Sequence, residues 1–346
     1  MSESQGVAVP ELGVPAPQSS RDFGVAWHYG DPHREQRALA AGVGAVDLSH
    51  RGVVTVSGAD RLTWLHALTT AHVESLPVGA SALALILSPH GHVEHELRLV
   101  DDGETTWMSV EPGTAGALVA YLDSMRFMLR VDVVDVSSNF GVVYEPLAEP
   151  LAGVPTYLLP NSYAFPDPTD RYVPSRPARF AGREIFLPRD QVANRVAESA
   201  APAGTWALEA LRVAAGVPRL GLDTDHRTIP NEVGWVPAAV HLAKGCYRGQ
   251  ETVARVYNLG RPPRRLVLLH LDGAADRLPD SGDEVCLADL ENPEVPGAVV
   301  GQVGSVARHF EFGPIALAMV KRNTAVTAPL WAGGVAANQE TVVVPG

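Results

Sequence analysis

Between Gly52 and Ser137 the hydrophobic pattern switches back and forth between period two and helical spacing, with only short turns between the changes. Gly52-Val-Val-Thr-Val-Ser57 alternates as a strand does. Gly58-Ala59-Asp60 then leads into a helix whose cap or first turn suits Asp60 and whose apolar face is Leu62, Trp64, Leu65 and Leu68. Ser81 to Ser88 reads as a buried strand turned at Pro89-His90-Gly91, and Val93 to Val100 as its return. After Asp101-Asp102-Gly103, Thr105 to Val110 makes a third strand. A helix over Thr114 to Leu129 sets Leu118, Leu122, Met125 and Leu129 at helical spacing, and Val131 to Ser137 closes the unit as a strand. A β-α-β-β-β-α-β order with neighbours joined by short turns predicts an α+β domain on an antiparallel sheet.

The flanks read differently. Residues 1 to about 20, rich in Pro, Ser and Gly, are expected to be a loose tail. His33 to Ala41 has helix-forming composition, with Gly42 and Gly44 to stop it. Residues 146 to 177 hold eight prolines among Tyr157, Tyr163, Phe165 and Tyr172, which marks a functional loop or an insertion. Arg183 to Leu187 reads as a strand, followed by helices over Asp190 to Ser199 and Thr205 to Ala215 that end at Gly216 and Pro218. Beyond Pro262-Pro263 the pattern turns to short strands: Arg265 to Leu271, Glu284 to Ala288, Val299 to Ala307, Ile315 to Val320 and Thr341 to Val344. Such a run predicts a small barrel. The expected division is a tail at 1–20, a split α+β domain at 21–50 and 138–261 with the proline-rich insertion, an α+β domain at 51–137 and a β-barrel domain at 262–346.

A net charge of −12 excludes a nucleic-acid or anionic-membrane binder that works by bulk attraction. The two cysteines, Cys246 and Cys286, form neither a disulfide framework nor a Cys-x-x-Cys metal site, and fit a reducing compartment. The N-terminus shows no basic region followed by an apolar one, and no apolar run approaches the ~20 residues that span a bilayer. A cytoplasmic protein is expected.

The most concentrated chemistry is Lys244-Gly-Cys246-Tyr247-Arg248-Gly-Gln250-Glu251-Thr-Val-Ala-Arg255. Gly245 and Gly249 admit turns or close backbone approach. Lys244 and Arg248 put positive charge beside the Cys246 thiol, which favours the thiolate in a partly exposed site. The alternative is a tight turn that buries a small structural cysteine. The local sequence supplies no adjacent histidine as a base for nucleophilic work, and one thiolate falls short of the four ligands a stable cluster takes.

Lys244-Gly-Cys-Tyr-Arg-Gly-Gln-Glu251, with Val253-Ala-Arg255, resembles the signature of the YgfZ-type folate-binding proteins, relatives of the glycine-cleavage T-protein that support iron–sulfur enzymes. Further stretches resemble the wider superfamily: Ser57-Gly-Ala-Asp60 through Leu68-Thr-Thr70, Ser88-Pro-His-Gly91, Gly221 through Asp225 to Pro230-Asn-Glu232, and in the terminal barrel Gly304-Ser-Val306 and Ile315-Ala-Leu-Ala318. The resemblance covers about residues 21 to 346 and implies three domains in a ring, with a reduced folate in the central opening. Two positions depart from the T-protein pattern. His95-Glu96 stands where that protein has an acidic pair, and Val213-Ala214-Ala215-Gly216 where it has Leu-Glu-Ala-Gly, so a pterin-contacting carboxylate is missing unless Glu209 replaces it.

Alternation along the Val93 strand puts His92, Glu94, Glu96 and Arg98 on one face and Val93, His95, Leu97 and Leu99 on the other, so His90, His92 and His95 do not converge on a metal. His92 with Glu94 reads as a solvated rim, and His95 as a core histidine or a pocket group. Asp225, Arg227 and Glu232 are either turn chemistry or a polar wall of the folate opening. Arg255 and the Arg261, Arg264 and Arg265 group would grip the glutamate carboxylates of a folate or lie solvated. The resemblance therefore implies a folate-dependent accessory protein for iron–sulfur enzymes and their assembly partners. Cys246 is its functional thiol and at most a transient cluster ligand, flanked by Lys244 and Arg248. Tetrahydrofolate would lie among His95, Glu96, Glu209, Asp225, Glu232, Tyr247, Gln250, Glu251 and Arg255. The alternatives are a folate-dependent aminomethyl transferase and a ring-shaped pocket for another planar ligand such as haem.

Overall fold

In the computed structural model, which describes residues 13–160, 180–236, 238–275, 277–288 and 296–343, Gly52–Ser57 forms the strand its alternation demands and pairs on both sides. Its sheet runs in the order Ser81–Leu87, Val93–Asp101, Thr105–Val110, Gly52–Ser57, Asp132–Asp135, antiparallel throughout. Helices Arg61–Leu68 and Ala115–Ser124 cover one face, burying Trp64, Leu65, Leu118 and Leu122 against Val54, Ile86, Leu97 and Leu99.

The second helix ends earlier than its apolar spacing predicts. It stops at Ser124, and Met125 and Leu129 stand exposed. The cause lies at Asp60. Its carboxylate takes the Arg130 N–H at 2.8 Å and the Arg130 guanidinium at 3.0 and 2.6 Å, turning the chain back through Met128 at φ 57°. Asp60 therefore sits at the N-cap position of Arg61–Leu68 without capping it through its side chain.

A second sheet, Thr156–Leu158, Arg183–Pro188, Phe140–Glu145, Ala45–Asp47 and Pro202–Ala203, packs on the open face of the first. Val53 and Val100 from one sheet and Val142, Tyr144 and Phe186 from the other share one core. Helix Arg189–Ala197 covers the outer face through Val192 and Val196. Helix Thr205–Ala214 joins this pair to the last unit, with Ala207 and Leu208 in the shared core and Ala210 and Val213 against Leu266, Leu268 and Ile315.

That last unit is a closed six-stranded barrel in the order Arg264–Leu271, Gly313–Lys321, Pro296–His309, Glu284–Ala288, Leu330–Ala332, Val335–Thr341. The final strand lies earlier than the expected Thr341 to Val344, whose last residue is outside the described residues, and Leu330–Ala332 had no sequence signal of its own. Residues 1–12 of the tail and 161–179 of the proline-rich segment, with Tyr163, Phe165 and Tyr172, also lie outside the described residues. Among the described residues no helix is long and apolar enough to cross a membrane.

Candidate functional site

The Lys244–Arg255 stretch is half loop and half helix, the helix running Gln250–Leu259. It packs on the first sheet, with Tyr247 and Val253 against Leu83, Leu85 and Leu87. Lys244 is buried, and its ammonium donates to three backbone carbonyls at the end of helix Arg61–Leu68 and just beyond it: those of His66, Thr69 (2.5 Å) and Ala71 (3.1 Å). Helix ends leave such carbonyls without partners, so the lysine acts as a cap supplied from a distant part of the chain. Burial lowers its pKa to about 8.

Arg248 reaches Glu94 at 3.3 Å and lies 5.8 Å from the Tyr121 ring. Lys244 and Arg248 thus both make anchoring contacts on either side of Cys246. The Gln250 amide closes the loop on the Lys244 carbonyl at 3.5 Å, and Glu251 and Arg255 are exposed on the helix. Cys246 itself is an exposed free thiol, whereas Cys286 is buried in the barrel, where burial pushes its thiol pKa up. His66, His72 and His241 gather beside Lys244, with ring centroids 4.8 and 5.2 Å apart. Among the described residues no group of three His, Cys, Asp or Glu side chains can hold a metal ion.

A second feature lies where the two sheets and helix Thr205–Ala214 meet: a cavity of about 30 Å³ walled by ion-paired arginines. Arg51 bonds Glu111 at 2.8 Å, and Arg219 bonds the other oxygen of Glu111 at 2.9 Å and Asp22 at 2.8 Å. His50 meets the same Asp22 oxygen at 3.0 Å. Burial alone would raise the Asp22 carboxyl, but the His50 hydrogen bond and the Arg219 charge outweigh it and hold it at about 2. Burial likewise opposes ionisation of Glu111, yet Arg219 and Arg51 keep it well below the usual carboxylate range. Arg212 grips Glu209 at 2.9 and 2.7 Å and Asp223 at 3.0 Å. Arg98 bonds Glu96 at 3.2 Å and also Glu184. Among the described residues, four buried polar atoms here have no partner: Glu96 Oε2, Glu184 Oε2, His50 Nδ1 and Arg51 Nη2.

Of the residues expected to hold a folate, this cavity takes in Glu209 directly and Glu96 through Arg98. His95 does not reach it. The alternation along Val93–Asp101 turns Glu96 inward and His95 to the helix-covered side, its ring 6.2 Å from Tyr121, where burial lowers its pKa. Asp225 and Glu232 lie elsewhere and are bound to Arg264, at 2.6 and 2.8 Å, so the guanidinium of Arg264 is already engaged by carboxylates of this chain. Asp225 and Arg264 border a separate cavity of about 250 Å³ between the 222–228 loop and the barrel strand Pro296–His309. Arg265 is fully buried and donates to the Thr324 carbonyl and the Gln339 amide oxygen; Arg261 is exposed. Tyr247, Gln250, Glu251 and Arg255 belong to the motif side.

Sequence reasoning missed His50, Arg219 and Glu184, and read Arg98 only as part of a strand face. The available signal was Arg98 between Leu97 and Leu99, and Glu184 ahead of Ile185-Phe186: charges on the inward face of apolar strands.

A family model described as the GCVT N-terminal domain matches residues 19–144. A putative chloroplastic transferase of Arabidopsis thaliana is 28% identical over 285 residues, covering 76% of this chain but only 60% of that protein, less than two thirds of its length. An aminomethyltransferase of Synechococcus sp. is 28% identical, covering 70% of this chain and 72% of the relative. The tRNA-modifying protein YgfZ of Yersinia enterocolitica is 26% identical, covering 75% and 79% respectively. The crystal structure of glycine cleavage system aminomethyltransferase T from Bartonella henselae superposes with a TM-score of 0.69 over 94% of this chain and 92% of its own, at 19% identity, which fixes the fold as that of the aminomethyltransferases.

Proposed function

We propose that this chain, which belongs to the GCVT-type aminomethyltransferase superfamily and within it to the YgfZ type, is a folate-binding accessory protein that maintains or repairs iron–sulfur enzymes through the thiol of Cys246. The observation that carries the reading is the exposed Cys246 on a loop tied down by Lys244, Gln250 and Arg248. Free cysteines are usually buried, and an exposed one on an anchored loop is placed to meet something outside the chain. One thiolate does not hold a stable cluster, so the cluster is the client's, and Cys246 meets it or its oxidised ligands transiently. The free thiols of Cys246 and Cys286 accord with a reducing cytoplasm.

A reduced folate, when bound, supplies one-carbon or redox chemistry. The central cavity fits such a ligand chemically, because its wall carries buried donors and acceptors that have no partner among the described residues and that a polar heterocycle satisfies. Its volume has room for water only, so ring entry requires the lining side chains to part. Ala214 packs toward the barrel core rather than on that wall, and His95 faces away from it; both favour an accessory role over aminomethyl transfer.

The test is genetic and biochemical. A deletion strain under oxidative stress is expected to lose activity of iron–sulfur enzymes and to be rescued by the wild type but not by Cys246→Ala. Unimpaired enzymes in the deletion strain overturn the role, and full rescue by Cys246→Ala overturns the thiol. Side-by-side titration of the purified protein with tetrahydrofolate and haem is expected to show folate binding; haem binding alone overturns the folate assignment.

A further inference from the structure

We propose that the closed barrel binds a small inorganic anion of chloride size at one end of its interior, against the guanidinium of Arg265. The site lies outside the central cavity and does not depend on the folate or thiol readings. Alternation along Arg264–Leu271 puts Arg265 on the face of Val267 and Leu269, which belong to the barrel core, and its neighbour across the sheet is Val320 of the same core. The side chain is 0% exposed. A guanidinium does not give up its proton in a protein, so a full positive charge stands among apolar residues.

Every other arginine buried among the described residues (Arg51, Arg98, Arg183, Arg212 and Arg219) bonds at least one carboxylate. Arg265 bonds none among the described residues, and burial pushes its pKa down with no neighbouring charge to offset it. Its Nη2 spends both protons on the Thr324 carbonyl at 3.0 Å and the Gln339 amide oxygen at 2.7 Å. Gln339 is fixed in turn by donating to the carbonyls of Ala325 and Ala328, so the guanidinium is held in place. Among the described residues, Nε and Nη1 have no acceptor, and the adjacent Thr324 hydroxyl has no partner either. The groups left over can all donate. A water molecule would satisfy one of them and leave the charge unanswered, whereas an anion meets the charge and a donor together. A side chain with no exposed surface admits no bulky ligand, which selects a single-atom anion over a phosphate.

Crystals grown in bromide, which substitutes for chloride, test the site directly. An anomalous difference peak in contact with Nε or Nη1 of Arg265 is expected; a water molecule or a carboxylate of the chain itself at that position, without anomalous signal, overturns the proposal. In solution, the melting temperature is expected to rise by about 2 °C for each tenfold increase in chloride once the site is near saturation, with gluconate holding the ionic strength constant. Arg265→Met is expected to lose that dependence. Equal melting of the wild type in chloride and gluconate, or an undiminished chloride dependence in Arg265→Met, overturns the site. The two wild-type measurements decide the matter even if the variant does not fold.

Discussion

Gly249 lies directly on Gly91: a Cβ added to Gly249 would sit 2.7 Å from the Gly91 Cα and 2.6 Å from the Ser88 carbonyl oxygen. Gly249 also has φ 79°, in the left-handed region that side chains avoid. Two turns distant in sequence are therefore held in backbone contact, and the thiol of Cys246 sits three residues before one of them. Gly249→Ala is expected to destabilise the protein by about 2–4 kcal/mol, combining backbone strain with a steric clash that neither turn can relieve. Urea unfolding measures the effect, and a change under about 0.5 kcal/mol overturns the close-contact account.

The Lys244 ammonium carries the other anchor. Its folded-state pKa of about 8 lies below the ordinary 10.5 because burial disfavours the charge. The proton therefore opposes folding at pH below about 8, and the residue's contribution to stability increases as pH rises from about 8 toward the unfolded value. Titration of its side-chain methylene by NMR is expected to show a midpoint near 8, and a midpoint above 10 refutes the burial account. Lys244→Met leaves three carbonyls without a donor and is expected to cost about 2–3 kcal/mol near pH 7. Increased hydrogen exchange confined to residues 66–72 and 241–247 is its local signature.

These anchors show where legibility in the sequence stopped. The strand Gly52–Ser57 and its partners were readable because burial on one face writes a period of two into the chain, and the same alternation placed Glu96 and His95 on opposite faces. Contacts between distant residues write no such period. The helix end at Ser124 depends on Asp60 meeting Arg130, seventy residues away. The task of Lys244 depends on the Thr69 carbonyl, 175 residues away. The cavity wall depends on Arg219 meeting Glu111, 108 residues away, so its arginines look like ordinary charges until the fold brings their partners. The motif drew attention to Cys246 by its concentrated chemistry and its resemblance to a family signature, and only the fold separates the exposed thiol from its anchors.

The cavity network makes an acid-stability prediction. Asp22, held at about 2, and Glu111, held lower still, ionise more readily folded than unfolded. Their contribution is fully present above the unfolded carboxylate range near pH 4 and is lost as pH falls toward 2. Arg219→Met leaves both carboxylates buried with less compensation and is expected to cost about 3–5 kcal/mol at pH 7. The cost should shrink at pH 4, where the uncompensated carboxyls take up protons. Denaturant titrations of wild type and variant at both pH values give the comparison; a pH-independent difference overturns the network's role.

The two cysteines give the most direct test of how Cys246 is presented. Cys246 is exposed, while Cys286 is 7% exposed in a barrel strand, paired across the sheet with Trp331. Native protein is expected to release about one equivalent of thiolate promptly with Ellman's reagent and the second only in denaturant, since a thiol must reach solvent to react. Cys246→Ala should abolish the prompt phase yet change the unfolding free energy by no more than about 0.5 kcal/mol, because the exposed side chain leaves no core cavity when removed. Equal rates for both thiols, or no prompt reaction, contradict the exposure of Cys246. A large stability loss in Cys246→Ala assigns the cysteine a packing role instead, and a failed rescue by that variant then reflects the fold rather than the thiol. An unchanged stability combined with failed rescue leaves the thiol's own chemistry as the cause.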